Sequence, residues 1–134
     1  MQKKTDSKRI IFIGAGAVGS YLGGWLSHTG YDVTLVDMWD KQVETIREHG
    51  LQVDGPHDSF VARPTMYHLH ENELLAREEK FDIGFVAVKA YDTLWAATFI
   101  DKFVKPDGYI VSSQNTWTDP AIAAAVGADR AVGL

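Results

Sequence analysis

Six residues of this chain are candidates for binding or catalysis: three glycines, one aspartate, one lysine and one asparagine. Gly14, Gly16 and Gly19 stand as G-x-G-x-x-G directly after Ile10-Ile11-Phe12-Ile13. That spacing suits a phosphate cradle, with Gly14 for a tight turn, Gly16 for close backbone approach to a pyrophosphate and Gly19 for close helix packing. Ala15, Ala17 and Val18 lie between them, and the unpaired N–H groups of the helix's first turn, with its dipole, favour anionic oxygens. Asp37 ends a second apolar run, Val33-Thr34-Leu35-Val36, near the ~20-residue spacing of an acid that accepts from ribose hydroxyls. Lys89 and Asn115 each leave a later apolar run. An ammonium there can offset phosphate or carboxylate charge, and an amide can hydrogen-bond a ribose hydroxyl or a substrate. Their bland readings are a snorkelling surface lysine and a turn asparagine.

These residues need strands and helices to bring them to one edge. Ile10–Ile13 reads as a strand buried on both faces, and Val18, Leu22 and Leu26 mark one face of a helix from about Ala17 to Thr29, closed by Gly30. Gly23 and Gly24 cost that helix roughly 1 kcal/mol each against alanine, which suits close packing on a sheet. A strand over about Asp32–Val36 follows, then a helix with Asp40 as N-cap, Val43 and Ile46 buried, and Gly50 as terminator. Leu51/Val53 and Phe60/Ala62 flank Asp54-Gly55-Pro56 as a hairpin-like excursion. Thr65–Leu69 is a candidate strand and Glu71–Lys80 a polar surface helix or loop.

Asp82–Val88, apolar on both faces, is a central parallel strand. Ala96, Phe99, Ile100 and Phe103 define the next helix, which stops at Lys105-Pro106-Asp107-Gly108. Tyr109–Val111 is a strand, Asp119-Pro120 opens an alanine-rich helix ending near Gly127, and Arg130–Leu134 begins another strand. This β-α-β-α order gives a doubly wound α/β sheet, in which ligands bind outside the carboxyl ends of the strands. Residues 1–8 form a disordered lead-in and residues 9–134 the dinucleotide-binding domain.

Bulk properties narrow the function classes. At 134 residues the chain makes one domain with a genuine core. A net charge of −5 argues against a nucleic-acid surface. There is no cysteine, hence no disulfide, thiolate metal site or thiol nucleophile. No apolar run approaches the ~18 residues of a membrane span, and the expected address is cytoplasmic. His68 and His70 share a strand face without an evident third ligand, so they read as surface histidines and no metal is expected. No Ser/His/Asp nucleophile arrangement can be picked out.

Gly14-Ala15-Gly16-Ala17-Val18-Gly19-Ser20, then Val88-Lys89-Ala90-Tyr91-Asp92-Thr93, then Gln114-Asn115, in this order, resemble the ketopantoate reductase family. The resemblance runs from about Ile10 to Leu134 and implies the Rossmann domain that forms the cofactor-binding half of such an enzyme. It implies reduction of a 2-oxo acid to a D-2-hydroxy acid with a nicotinamide cofactor, Lys89 beside that cofactor, and Gln114 and Asn115 near the nicotinamide ribose and substrate. The family's proton-donating lysine belongs to a C-terminal helical substrate domain, to which no residue here corresponds. The chain therefore reads as the first domain of a longer two-domain protein, binding cofactor with negligible turnover alone. The implied partners are a small 2-oxo acid, that C-terminal domain and, as an option, a second copy in a homodimer.

Two positions depart from the family pattern. Thr116 and Trp117 follow Gln-Asn where a glycine is usual, changing backbone freedom and bulk beside the nicotinamide. Many relatives hold a 2′-phosphate with an arginine after the second strand, where this chain has Asp37-Met38-Trp39-Asp40-Lys41. A carboxylate accepts from both ribose hydroxyls for about 1.5–3 kcal/mol and repels a phosphate by up to about 4 kcal/mol per charge pair. The expectation is NAD(H) over NADP(H). A second reading, a stand-alone NAD(H)-sensing regulatory module, shares the glycines and Asp37 but has no reason to carry the Lys89 and Asn115 segments.

Overall fold

A computed structural model describes residues 8–88, 92–112 and 119–133. Six strands form one parallel sheet in the order β5-β2-β1-β6-β7-β8: β1 (Arg9–Ile13), β2 (Asp32–Asp37), β5 (Thr65–His68), β6 (Phe81–Val86), β7 (Val104–Ser112) and β8 (Ala131–Gly133). Strands β3 (Leu51–Asp54) and β4 (Ser59–Ala62) pair separately as an antiparallel hairpin. The helices are α1 (Ala17–His28), α2 (Asp40–His49), α3 (Asn72–Ala76), α4 (Thr93–Asp101) and α5 (Asp119–Val126). With the hairpin set aside, the sheet runs third-second-first-fourth-fifth-sixth, the doubly wound order. Its direction reverses between β1 and β6, which makes their carboxyl ends the switch point.

The central strands are apolar on alternate faces because both faces are covered. Ile10 and Phe12 join one core with Leu35, Val43, Ile46 and Val53. Ile11 and Ile13 join the other with Phe81, Val86, Ala96, Ile100 and Ile122. Phe12 is fully buried and its ring stacks on Phe85 at 4.5 Å, making it one of the side chains whose burial is worth upwards of about 2 kcal/mol. The two mid-helix glycines of α1 are used for contact: a Cβ at Gly23 would lie 2.8 Å from Leu35, and one at Gly24 2.5 Å from Val53 of the hairpin.

Several local expectations need correction. Asp40 does not cap α2. It is the helix's first residue, and the N-cap is Trp39, whose own side chain makes no capping bond. The Asp40 carboxylate instead turns to His68. Lys105–Gly108 do not end one element before the next begins; they bulge out within β7, whose pairing with β6 shifts from Phe81↔Val104 to Ile83↔Tyr109. Strand β6 stops two residues short of Val88, after which the Ala87 N–H still donates to the Ile13 carbonyl at 2.9 Å. The polar stretch before it contains a five-residue helix, α3, anchored because Leu75 is buried in the core. His68 is less exposed than a surface histidine, at 13% for its side chain.

Candidate functional site

The turn between β1 and α1 lies at the switch point and is built so that only glycine fits twice. Gly14 has φ of +104°, and a Cβ there would sit 2.5 Å from the Ala87 carbonyl oxygen. A Cβ at Gly19 would overlap the Gly14 carbonyl, so the helix start lies against the turn. Gly16 is different. A Cβ there would meet nothing within 4 Å. The open space lies beside the N-terminus of α1, whose N-cap is Gly16, with no side-chain cap and no acid in the first turn. The positive end of that helix is therefore uncompensated, which favours an anion by about 0.3–1 kcal/mol.

Asp37, the last residue of β2, reaches this turn. Its Oδ2 accepts from the Ala15 N–H at 2.7 Å and its Oδ1 from the Trp39 N–H at 2.9 Å. Asp37 thus also holds the N-cap residue of α2. An ionised carboxylate offers about four lone-pair sites, so acceptor capacity remains beyond these two bonds. Met38 and Trp39, next in the chain, are 63% and 71% exposed at the same edge.

Two residues that the sequence pattern did not single out complete the turn. Ser20 Oγ and Gln42 Nε2 both donate to the Ala15 carbonyl, each at 2.7 Å. The peptide units on both sides of Ala15 are thus held, one through its N–H and the other through its carbonyl, and Ala15 itself is fully buried. Gln42 had a signal available, as it stands three residues after the N-cap of α2, where a Gln or Glu commonly reaches back to the N-cap N–H. Here Asp37 takes that N–H, and the Gln42 amide goes to the glycine turn.

Next to Asp37 in the parallel register stands His68 of β5. Its Nδ1 accepts from the His70 N–H at 3.2 Å, so in the neutral ring Nε2 carries the hydrogen, and that atom lies 2.5 Å from Asp40 Oδ1. Glu71 accepts from the His68 N–H at 2.7 Å and from Arg47. Those donors, the backbone N–H first, hold the Glu71 carboxyl below its usual range against the opposing effect of burial. Among the described residues no group of three side chains could hold a metal ion.

Lys89, Gln114 and Asn115, with Thr116 and Trp117, lie outside the described residues. The strands that lead to them, β6 beside β1 and β7 beside β6, end on the same carboxyl edge as Gly14 and Asp37. No helix among the described residues is long and apolar enough to cross a membrane.

A parallel doubly wound sheet with a glycine turn open at Gly16 and an acid at the end of its second strand defines a dinucleotide-binding α/β domain. Residues 10–133 match the family model described as ketopantoate reductase PanE/ApbA, and the chain belongs to that family. It is 36% identical over 107 residues to the 2-dehydropantoate 2-reductase of Pyrococcus abyssi, covering 80% of this chain and 33% of that protein. The crystal structure of 2-dehydropantoate 2-reductase from Geobacter metallireducens superposes with a TM-score of 0.77 at 28% identity, over 93% of this chain and 40% of that one. D-mandelate dehydrogenase, solved with NADH and anilino(oxo)acetate, superposes at 0.74 with 26% identity, over 92% of this chain and 40% of that one. The chain thus spans about a third of the length of the curated relative it matches.

Proposed function

We propose that this chain is the NAD(H)-binding part of a reductase that converts a 2-oxo acid of the ketopantoate class into a D-2-hydroxy acid. The observation that carries this reading is the pairing of an open Gly16 with an Asp37 carboxylate that is fixed in place but retains acceptor capacity. A pyrophosphate fits the open side of the turn, and a ribose fits between that turn and Asp37. The bound nicotinamide supplies the hydride; the protein supplies orientation and electrostatics. Lys89 is assigned to the anionic end of cofactor or substrate, and Gln114 and Asn115 to the nicotinamide side, as the family resemblance implies.

Asp37 favours NADH over NADPH. Its charge is not consumed by an ion pair among the described residues: the donors it meets are backbone N–H groups, which leave the carboxylate's repulsion of a 2′-phosphate intact. Titration of both cofactors against the chain tests this. NADH binding at least about tenfold tighter is expected, given a difference of more than ~1.4 kcal/mol; equal or tighter NADPH binding overturns the assignment. That D-mandelate dehydrogenase was solved with NADH and an oxo-acid analogue supports the choice of cofactor and of substrate class.

A further inference from the structure

We infer that Gln42 is a positioning residue for the pyrophosphate cradle: from α2 it holds the Ala15 carbonyl and so sets the orientation of the Gly16 amide in the same peptide unit. The inference rests on the dinucleotide reading above and adds a residue to it from outside the glycine motif. Gln42 lies on the neighbouring crossover, 27 residues along the chain from Ala15, and reaches across to the turn from there.

Both polar groups of Ala15 have partners. The Ala15 N–H is held by Asp37, and its carbonyl accepts from both Ser20 and Gln42. Ser20 belongs to α1 itself, so its bond moves with the helix and ties the turn only to α1. Gln42 ties the turn to α2, and α2 is tied through the Trp39 N–H to Asp37. Asp37, Gln42 and the backbone on either side of Ala15 therefore form a closed loop that links the ribose-reading acid to the phosphate-facing turn. The Ala15 carbonyl and the Gly16 N–H belong to one planar peptide unit, so holding that carbonyl fixes the direction of the Gly16 N–H before an anion approaches, and little ordering cost remains.

The test uses the 134-residue chain with NAD⁺, ADP and adenosine as probes, their affinities measured by calorimetry or ligand-observed NMR. Gln42→Leu keeps the side chain's bulk and removes the donor. Affinity for NAD⁺ and ADP should fall about fivefold or more, the worth of one hydrogen bond, while adenosine, which has no phosphate, should bind as it does to the wild type. Gln42→Glu gives a second readout that a purely structural role would not move. Near pH 7 its carboxylate faces a carbonyl and cannot donate, so NAD⁺ binding should be as weak as in Gln42→Leu. As pH falls through about 4–5 the protonated acid can donate, and affinity relative to wild type should recover. The Gln42→Glu comparison stands even if Gln42→Leu folds poorly.

Wild-type affinity for NAD⁺ in Gln42→Leu, equal losses for adenosine and ADP, or no pH-dependent recovery in Gln42→Glu would each overturn the assignment. A wild-type chain that binds neither NAD⁺ nor ADP would remove the dinucleotide reading and this inference with it.

Discussion

The two ends of the sheet hold opposite kinds of polar chemistry. At the amino ends of the strands lies a cleft of ≈ 790 Å³ lined by Arg9, Asp32, Arg63, Glu78, Glu79, Asp82 and Lys105. Most of these charges are already paired with one another. Arg9 bonds Asp32 at 3.0 Å and Glu78 at 2.8 Å, reaches the Glu79 carbonyl, and sits 4.3 Å over the Phe81 ring. Its own N–H donates to Asp82, which also accepts from Lys105 at 2.9 Å. At the carboxyl ends the turn is small, but Gly16 is open and the α1 N-terminus is uncapped. Size and charge mark the first end, while hydrogen-bonding capacity not used by the fold marks the second. Binding follows unused capacity, because a ligand must be offered something that the protein's own groups have not taken.

The largest effects are expected within the glycine turn. Gly14→Ala places a Cβ against the Ala87 carbonyl at a φ of +104°, and should cost about 3 kcal/mol in chemical denaturation, combining backbone strain and overpacking. Gly16→Ala meets no neighbour, so stability should change by less than about 1 kcal/mol, while NADH affinity should fall because the methyl fills the space proposed for the pyrophosphate. If Gly16→Ala binds NADH like the wild type, the open side of the turn is not the phosphate site.

The amino edge should answer in the opposite sense. Arg9→Leu strips partners from Asp32 and Glu78 and leaves their charges half-buried, for an expected loss of about 2 kcal/mol. NADH affinity should not change, since that edge is where the strands begin and the cofactor is proposed where they end. A variant of normal stability would show that these ion pairs contribute little, as exposed pairs often do. A variant that loses cofactor affinity while remaining folded would move the binding site toward this cleft.

Most of the sheet was legible in the sequence because parallel strands buried on both faces leave continuous apolar runs, and Gly30, Gly50 and Gly127 close their helices at positive φ. What was not legible depended on which partner wins a shared group. Asp40 looked like the cap of α2 by residue type, yet Asp37 holds the cap position's N–H and Asp40 turns to His68, a partner brought in by β5 from 28 residues away. Lys105-Pro106-Asp107-Gly108 looked like a turn between elements because its residues are turn formers. Val104 nevertheless pairs with Phe81, and the four residues fold out as a bulge in the strand. The glycine turn and Asp37 were visible as a motif. The bonds of Ser20, which stands at the end of that motif, and of Gln42, which stands outside it, were not, because their shared acceptor is a backbone carbonyl, which carries no mark of its own in a sequence.

The smallest expected effect is a pH dependence confined to the amino edge. The Arg9 N–H, and after it Lys105, hold the Asp82 carboxyl below its usual range, against the opposing effect of burial. A carboxyl whose folded pKa is depressed contributes stability that is present above its unfolded value, near 4, and lost as pH falls through the folded value. Asp82→Asn should therefore leave the unfolding free energy less dependent on pH below about 4 than in the wild type. Its Oδ1 can still accept from the Arg9 N–H, so the fold's geometry is retained. Denaturation curves between about pH 2 and 6 measure this. NADH affinity at neutral pH should be the same in both proteins, because Asp82 lies at the start of β6 and the glycine turn packs at its end. If the variant keeps the wild-type acid slope, the proton uptake belongs elsewhere. Glu71 at the carboxyl side, also held below its usual range, would then be the carboxylate to replace next, and the two ends of the sheet would differ less in acid than their hydrogen bonds imply.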